Sequence, residues 1–291
     1  MDGAPPAAQD REAAHAGTPL LEARNLVKEY TREGAAVRVV DGVSLAIHPG
    51  ETLGLVGESG CGKSTVARML LRLIEPTSGE IAFAGESILA AGPRRMKALR
   101  RRMQVVFQDP YAALNPRMRV RDLLAEPFAI HRESPPEGIE TRLARLLESV
   151  GLDRSALPRY PHEFSGGQRQ RINIARALVL GPELLVLDEP VSALDVSVGA
   201  QVINLLRELQ SSLKLACLFI SHSMPLVRYV CDRIAVMQAG RIVETGPTLQ
   251  LCDAPHHAYT RQLIAATPKL PDAAQLAALA RGESARVATI D

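Results

Sequence analysis

A glycine-rich loop decides more about the fold of this chain than any other part of its sequence: Gly57-Glu58-Ser59-Gly60-Cys61-Gly62-Lys63-Ser64-Thr65. It matches the pattern G-x-x-x-x-G-K-[ST], in which glycines let the backbone curl so that successive N–H groups point at phosphate oxygens. Lys63 brings a positive charge to the β- and γ-phosphates, and the Ser64 hydroxyl is placed to bind Mg²⁺. The loop therefore predicts a binding site for a nucleoside triphosphate.

The segments on either side of this loop fit the same structure. Residues 52–56 form an apolar run typical of a buried strand, and residues 66–74 carry the apolar periodicity of a helix. A strand, a loop and a helix in this order bring the partial positive charge of the helix N-terminus to the phosphates. The pattern predicts an α/β protein with a P-loop NTPase core.

The composition of the chain narrows the classes of protein to which it can belong. The 291 residues are 46% apolar and 23% charged, which is ordinary for a globular protein with a sizeable core. A net charge of +2, 3% aromatic residues and no Trp argue against a nucleic-acid partner. No uninterrupted apolar run reaches the length of a transmembrane helix, and the cysteines form no C-x-x-C pair. We expect reduced thiols and no membrane span.

The rest of the chain divides into segments with different patterns. Residues 1–19 lack periodicity and are expected to be disordered, and residues 268–291 are expected to form a C-terminal tail. Apolar–polar alternation at 20–27 and 37–47 predicts antiparallel strands. Between 109 and 165, prolines interrupt predicted helices, which indicates a helical subdomain inserted in the α/β core.

Two carboxylates follow a second apolar strand, residues 184–187. Asp188 is placed to bind Mg²⁺, and Glu189 can orient and deprotonate an attacking water. Many strands end in acidic residues, so the pair is informative only together with the phosphate loop. Taken with the loop, it predicts hydrolysis of the nucleotide.

A second glycine-containing segment, Phe164-Ser165-Gly166-Gly167-Gln168, opens a long predicted helix. Ser165 can cap this helix, and the glycines keep Cβ atoms away so that backbone N–H groups can meet a phosphate. The alternative is a simple capped helix start. With Phe in place of the usual Leu, the segment resembles the signature motif of ATP-binding cassette (ABC) proteins.

Further residues match the ABC family in the family's order. Gln108 resembles the Q-loop glutamine, which senses Mg²⁺ and the transport partner, and Asp195 resembles the D-loop aspartate. His222 resembles the switch histidine that contacts the γ-phosphate, and Tyr30 falls where the family stacks an aromatic ring on adenine. Each also has a plain structural interpretation, as a strand end, a helix N-cap, a satisfied histidine or an exposed tyrosine.

The resemblance implies an ABC-type P-loop core with an antiparallel β subdomain and a helical subdomain, in a cassette covering residues 20–267. It also implies that two cassettes pack head to tail. Each ATP would lie between residues 57–65 of one cassette and 165–168 of the other. The residues that it assigns to catalysis or to Mg²⁺ are Lys63, Ser64, Gln108, Asp188, Glu189 and His222.

Three segments resemble the peptide and nickel importer branch of the family: residues 105–118, 189–197 and 255–260. The last is similar to the branch pattern P-x-H-P-Y-T, with Ala258 where proline is usual. The resemblance implies a peripheral ATPase at the cytoplasmic face of the bacterial inner membrane that energises import of di- or oligopeptides or of nickel. Its implied partners are a second cassette (identical or homologous), two membrane permeases and, indirectly, an extracytoplasmic solute-binding protein. A carbon–phosphorus lyase cassette and a non-transport ABC ATPase remain alternatives.

Overall fold

Two β-sheets and the helices packed on them form the part of the chain that the computed structural model describes, residues 17–32 and 35–266. The strands are β1 (Leu21–Arg32), β2 (Ala35–Ile47), β3 (Thr52–Val56), β4 (Ser78–Phe83), β5 (Glu86–Ser87), β6 (Met103–Val106), β7 (Leu184–Asp188), β8 (Ala216–Ser221), β9 (Arg233–Gln238) and β10 (Arg241–Pro247). The helices are α1 (Lys63–Leu70), α2 (Pro93–Arg102), α3 (Pro110–Ala113), α4 (Val120–His131), α5 (Ile139–Ser149), α6 (Gly166–Leu178), α7 (Val196–Leu213), α8 (Met224–Val230), α9 (Thr248–Asp253) and α10 (Ala258–Ala265), with 3₁₀ helices at Arg154–Ala156 and Pro161–Glu163. Of the predicted disordered N-terminus (1–19), residues 1–16 lie outside the described residues. The predicted tail, 268–291, also lies outside them.

The smaller sheet is antiparallel throughout, in the order β2–β1–β4–β5. The alternation predicted at 20–27 and 37–47 corresponds to its two longest strands, β1 and β2. These pair with several register shifts, and Gly42 adopts a left-handed φ of +70° beside one of them. Glycine adopts this positive φ without the strain that other residues would incur, so the strand continues through the irregularity.

The larger sheet has the order β10–β9–β3–β8–β7–β6. Its neighbours pair in parallel except β10 with β9, which form an antiparallel edge. Every residue of β3, β7 and β8 is buried, as expected for parallel strands covered on both faces. The carboxyl ends of the parallel strands therefore meet along one edge of this sheet.

This larger sheet separates two apolar cores. Along β7, Leu184 and Val186 face the core shared with the smaller sheet, and Leu185 and Leu187 face the core formed by helices α4 to α8. Both faces of the strand are therefore covered by apolar side chains. This arrangement explains why the strand reads as an unbroken apolar run rather than as an alternating one.

Helix α1 begins and ends earlier than the sequence pattern predicts. The apolar periodicity predicted residues 66–74, but the helix covers Lys63–Leu70. It cannot reach residue 74 because Arg72 adopts a left-handed φ of +48°. The Arg72 guanidinium donates to the carbonyl of Ile88 at 2.9 Å. The early start places Lys63 and Ser64 in the first helical turn.

The short helices α9 and α10 were not predicted, since six and eight residues give too little periodicity to recognise. Within residues 17–32 and 35–266, no helix combines the length and the apolar character that crossing a bilayer requires.

Candidate functional site

The predicted site residues come together at the carboxyl edge of the larger sheet. The loop 57–65 follows β3, Gln108 lies two residues after β6, Glu189 directly follows β7, and His222 directly follows β8. Because β6, β7, β8 and β3 are successive parallel neighbours, their ends lie side by side. One sheet edge thus assembles residues from four distant parts of the chain.

The phosphate loop depends on two glycines where other backbone lies very close. A Cβ at Gly57 would lie 2.1 Å from the carbonyl oxygen of Met237, at the end of β9. Gly62 has a left-handed φ of +109°, and a Cβ there would lie 2.8 Å from the carbonyl oxygen of Val39 in β2. The loop therefore packs directly against the backbone of both sheets, and no side chain fits at either position.

The ammonium group of Lys63 lies inside the curl of the loop. It donates to the carbonyl oxygens of Gly57 at 2.7 Å and Glu58 at 2.8 Å, and the residue is only 5% exposed. The N–H of Cys61 also donates to the Glu58 carbonyl, at 3.3 Å. The loop and its lysine therefore form one hydrogen-bonded unit that presents positive charge at the helix N-terminus.

Ser64 and Asp188 form a pair beside the loop. The Ser64 hydroxyl donates to a carboxylate oxygen of Asp188 at 3.1 Å. Burial raises the pKa of Asp188, the charge of Glu189 adds to this, and the Ser64 hydrogen bond opposes it. A carboxylate that is costly to bury gains from a nearby cation, and hydroxyl and carboxylate oxygens are ligands that Mg²⁺ prefers. The pair fits that ion.

The described residues contain no cluster of three or more His, Cys, Asp or Glu side chains that could hold a metal by itself. An ion held by Ser64 and Asp188 would therefore need further oxygens from phosphate and water, which is the usual environment of Mg²⁺ at nucleotide sites.

Glu189 joins two of the other predicted residues. One carboxylate oxygen accepts from the Gln108 side-chain amide at 3.2 Å, and the other lies 3.3 Å from Nδ1 of His222. The Glu189 backbone has a left-handed φ of +49°, and its N–H is held by the carbonyl of Ile220 at 3.0 Å. Such strain in a non-glycine residue is retained where the surrounding structure fixes it, often at functional sites. The two oxygens of the Glu189 carboxylate are thus each held by a neighbouring side chain.

The turn after Glu189 is held by a residue that sequence reasoning missed. Gln170 in α6 is fully buried and donates to the carbonyl oxygen of Pro190 at 2.6 Å. A glutamine among the apolar positions of a helix was the available signal, because a buried polar side chain requires a partner.

The Ser165–Gln168 segment forms the capped helix start that was one of its two interpretations. The N–H of Gln168 donates to Oγ of Ser165 at 3.3 Å, and the Ser165 N–H donates to the Gln168 side chain at 3.1 Å, which makes a capping box. Gly167 has an additional packing role, since a Cβ there would lie 2.3 Å from Cγ1 of Val198 in α7. The glycine lets the two helices approach closely.

Replacing Gly167 by Ala is expected to lower the free energy of unfolding by about 1–3 kcal/mol, because the added methyl would overlap with Val198. The double variant Gly167→Ala/Val198→Ala should recover most of this loss, since the shorter Val198 side chain leaves room. Thermal unfolding of both single variants and the double variant measures the coupling. Losses that simply add would contradict the packing role.

Asp195 and Tyr30 take no part in the hydrogen bonds described above around Lys63, Asp188 and Glu189. Asp195 caps α7: its carboxylate accepts from the Val198 N–H at 2.9 Å, and this bond keeps its pKa below the usual range. Tyr30 is 42% exposed in β1 and pairs with Val37, two residues from the Val39 carbonyl that faces Gly62. In the described residues no hydrogen bond joins either side chain to the loop 57–65, and their predicted contacts with nucleotide stay predictions.

Comparisons with known proteins show which family this chain resembles. A family model described as "ABC transporter" matches residues 40–192, and one described as "Oligopeptide/dipeptide transporter, C-terminal region" matches residues 243–291. The chain is 50% identical over 256 residues to the oligopeptide transport ATP-binding protein OppF of Bacillus subtilis, with 87% of this chain and 83% of that protein covered. It is also 50% identical over 273 residues to the putative peptide import ATP-binding protein BOV_A0347 of Brucella ovis, with 91% and 84% covered.

Solved structures with the same fold include the dimeric MJ0796, titled a bacterial ABC transporter cassette. It has a TM-score of 0.71 and 26% identity, and the match covers 78% of this chain and 98% of that one. A post-hydrolysis state of the same cassette, bound to ADP and Pi, has a TM-score of 0.70 at 26% identity, over the same shares of the two chains. The predicted α/β P-loop fold of ABC type is confirmed. This chain belongs to the ABC transporter family, as an ATP-binding and ATP-hydrolysing cassette.

Proposed function

We propose that this chain is the ATPase subunit of an importer for di- or oligopeptides and works as a peripheral subunit at the cytoplasmic face of the bacterial inner membrane. The observation that carries the choice of solute is the match of residues 243–291 to the C-terminal region of oligopeptide and dipeptide transporters. The relatives at 50% identity, which are named for peptide transport or import, support it.

The proposed partners are a second cassette, two membrane permeases and, indirectly, a solute-binding protein. Within the described residues, no hydrogen bond joins the segment 165–168 to the loop 57–65 of the same chain, and 165–168 caps its own helix. A second cassette packed head to tail would bring one segment to the other's loop. The dimeric state of the MJ0796 cassette supports such pairing.

We propose that the loop 57–65 binds the ATP phosphates through its backbone N–H groups and Lys63. Tyr30 would stack on the adenine, and Asp195 would lie at the interface between cassettes. Ser64 and Asp188, with Gln108, would hold Mg²⁺, which when bound offsets the negative charge of the phosphates. The cassette is proposed to cover residues 20–267, with a helical subdomain at 109–165 that contains α3, α4 and α5.

In the proposed reaction, Glu189 accepts a proton from a water whose oxygen attacks the γ-phosphorus. The bond between the γ-phosphorus and the bridging oxygen breaks, and its electron pair leaves with ADP. Gln108 and His222 hold the Glu189 carboxylate in place, at 3.2 and 3.3 Å, so that its orientation does not have to be found during the reaction. His222 would also reach the γ-phosphate.

The test is purification of the full-length chain from bacterial membranes. We expect two integral-membrane permeases to be recovered with it, and vesicles containing the complex to take up a labelled oligopeptide only with ATP and the binding protein. Recovery with a soluble lyase complex and no permease would overturn the transport proposal. Uptake of nickel without peptide uptake would overturn the choice of solute.

A further inference from the structure

The phosphate loop and the C-terminal helix α10 are joined by a hydrogen bond that no sequence motif predicted. The N–H of Glu58 donates to the hydroxyl oxygen of Tyr259 at 3.0 Å, across 201 positions of the chain. Tyr259 is only 5% exposed, and burial raises the pKa of its hydroxyl. The ring is therefore part of the protein interior, and its neutral hydroxyl reaches the loop.

The start of α10 is itself held in place. The carboxylate of Glu244 in β10 accepts from the N–H groups of His256 at 2.8 Å and His257 at 3.1 Å. Nδ1 of His257 accepts from the N–H of Tyr259 at 3.2 Å, which caps the helix. The Tyr259 backbone is thus anchored to the larger sheet independently of the loop.

The peptide group between Gly57 and Glu58 is held from both sides. Its carbonyl accepts from Lys63 at 2.7 Å, and its N–H donates to Tyr259. The C=O and N–H of a trans peptide point in opposite directions, so these two bonds together fix the tilt of the peptide plane. Removing either partner leaves the plane free to turn and leaves one polar group unpaired.

We propose that Tyr259 is a positioning residue for ATP binding: its hydroxyl holds the Gly57–Glu58 peptide in the orientation in which Lys63 and the loop N–H groups meet the phosphates. The inference goes beyond peptide import, because it makes the C-terminal segment part of the ATP site whatever solute is carried. It rests on residues 57–65 being the nucleotide loop.

The first test is Tyr259→Phe in the full-length chain, which removes the hydroxyl and keeps the ring. We expect the Kd and the KM for ATP to rise about 3- to 10-fold, as for the loss of one hydrogen bond, with a smaller change in kcat. The matched control is Tyr229→Phe, whose hydroxyl donates to Asn204 at 2.8 Å on the exposed face of α7 and α8. The control should leave ATP affinity unchanged. An equal change in both variants, or in neither, would overturn the proposal.

A second readout separates positioning from folding. Cys61 lies in the loop, whereas Cys217 is buried in β8, where burial raises its pKa to about 12. Modification of each thiol by iodoacetamide can be followed by peptide mass spectrometry. Tyr259→Phe without nucleotide should raise the rate at Cys61 several-fold and leave Cys217 slow. No increase at Cys61, or equal increases at both thiols, would overturn the positioning role.

The unaltered chain supplies the reference for this measurement. ATP should protect Cys61 from iodoacetamide, because the bound phosphates cover the loop. Absence of protection would overturn the loop assignment and the role of Tyr259 with it. A failure of peptide uptake with Cys61 still protected would contradict only the proposed solute and partners.

Discussion

Replacing Glu189 by Gln is expected to lower the rate of ATP hydrolysis by about 100-fold or more, since general-base catalysis contributes about 10²–10⁴-fold. Gln has nearly the same shape, and its side chain can still pair with Gln108 and His222, so the architecture of the site is kept. What is lost is the carboxylate that accepts the proton of the attacking water. ATP binding should therefore persist while turnover falls.

The measurement is steady-state ATPase activity of the assembled complex together with equilibrium binding of ATP. Glu183→Gln is a suitable control, because Glu183 directly precedes the same strand at its opposite end and pairs with Arg102 on the surface. Its activity should stay close to that of the unaltered complex. Unchanged turnover in Glu189→Gln would rule out Glu189 as the base.

Lys63→Met is expected to weaken ATP binding by about 10- to 100-fold, the range for losing hydrogen bonds to a charged group. The Lys63 ammonium is buried and donates to the carbonyls of both Gly57 and Glu58. The apolar replacement removes the positive charge from the loop and takes the ammonium donor away from both carbonyl oxygens, of which that of Glu58 keeps the Cys61 N–H at 3.3 Å. The phosphates would then meet an electrostatically poorer and less ordered loop.

Titration of the purified chain with ATP measures this change, and thermal unfolding shows that the variant is folded. Lys97→Met removes an equal charge from the exposed face of α2 and should leave the affinity unchanged. If the two variants bind ATP equally well, Lys63 does not bind the phosphates.

Part of the site could be predicted because its signals are local. The loop 57–65 is recognisable from the positions of its glycines, and the short apolar run before Asp188 predicts a buried strand. Boundaries were less predictable. Residues 71–74 have helical periodicity, but α1 ends at Leu70, because the left-handed φ of Arg72 cannot continue a right-handed helix. The Arg72 guanidinium donates to the Ile88 carbonyl, a contact with a distant segment that periodicity does not indicate.

The glycines of the 165–168 segment illustrate a second limit. Their spacing indicates backbone N–H groups available for a ligand, and nothing in the sequence indicates that Gly167 also faces Val198 across a helix contact. The sequence pattern indicates which roles a glycine could have. Which of those roles it has depends on the residues that pack against it in the folded protein.

The sequence by itself determined that this chain has a glycine-rich phosphate loop, two carboxylates after a buried strand, and a capped glycine-containing helix start. Only the tertiary structure decided that Glu189 lies between Gln108 and His222, and that Tyr259 reaches the loop. The reason is that strand order is set by long-range packing: β3, β8, β7 and β6 become neighbours although they are far apart in the chain. The local periodicity of a sequence does not indicate the order of the strands in the sheet.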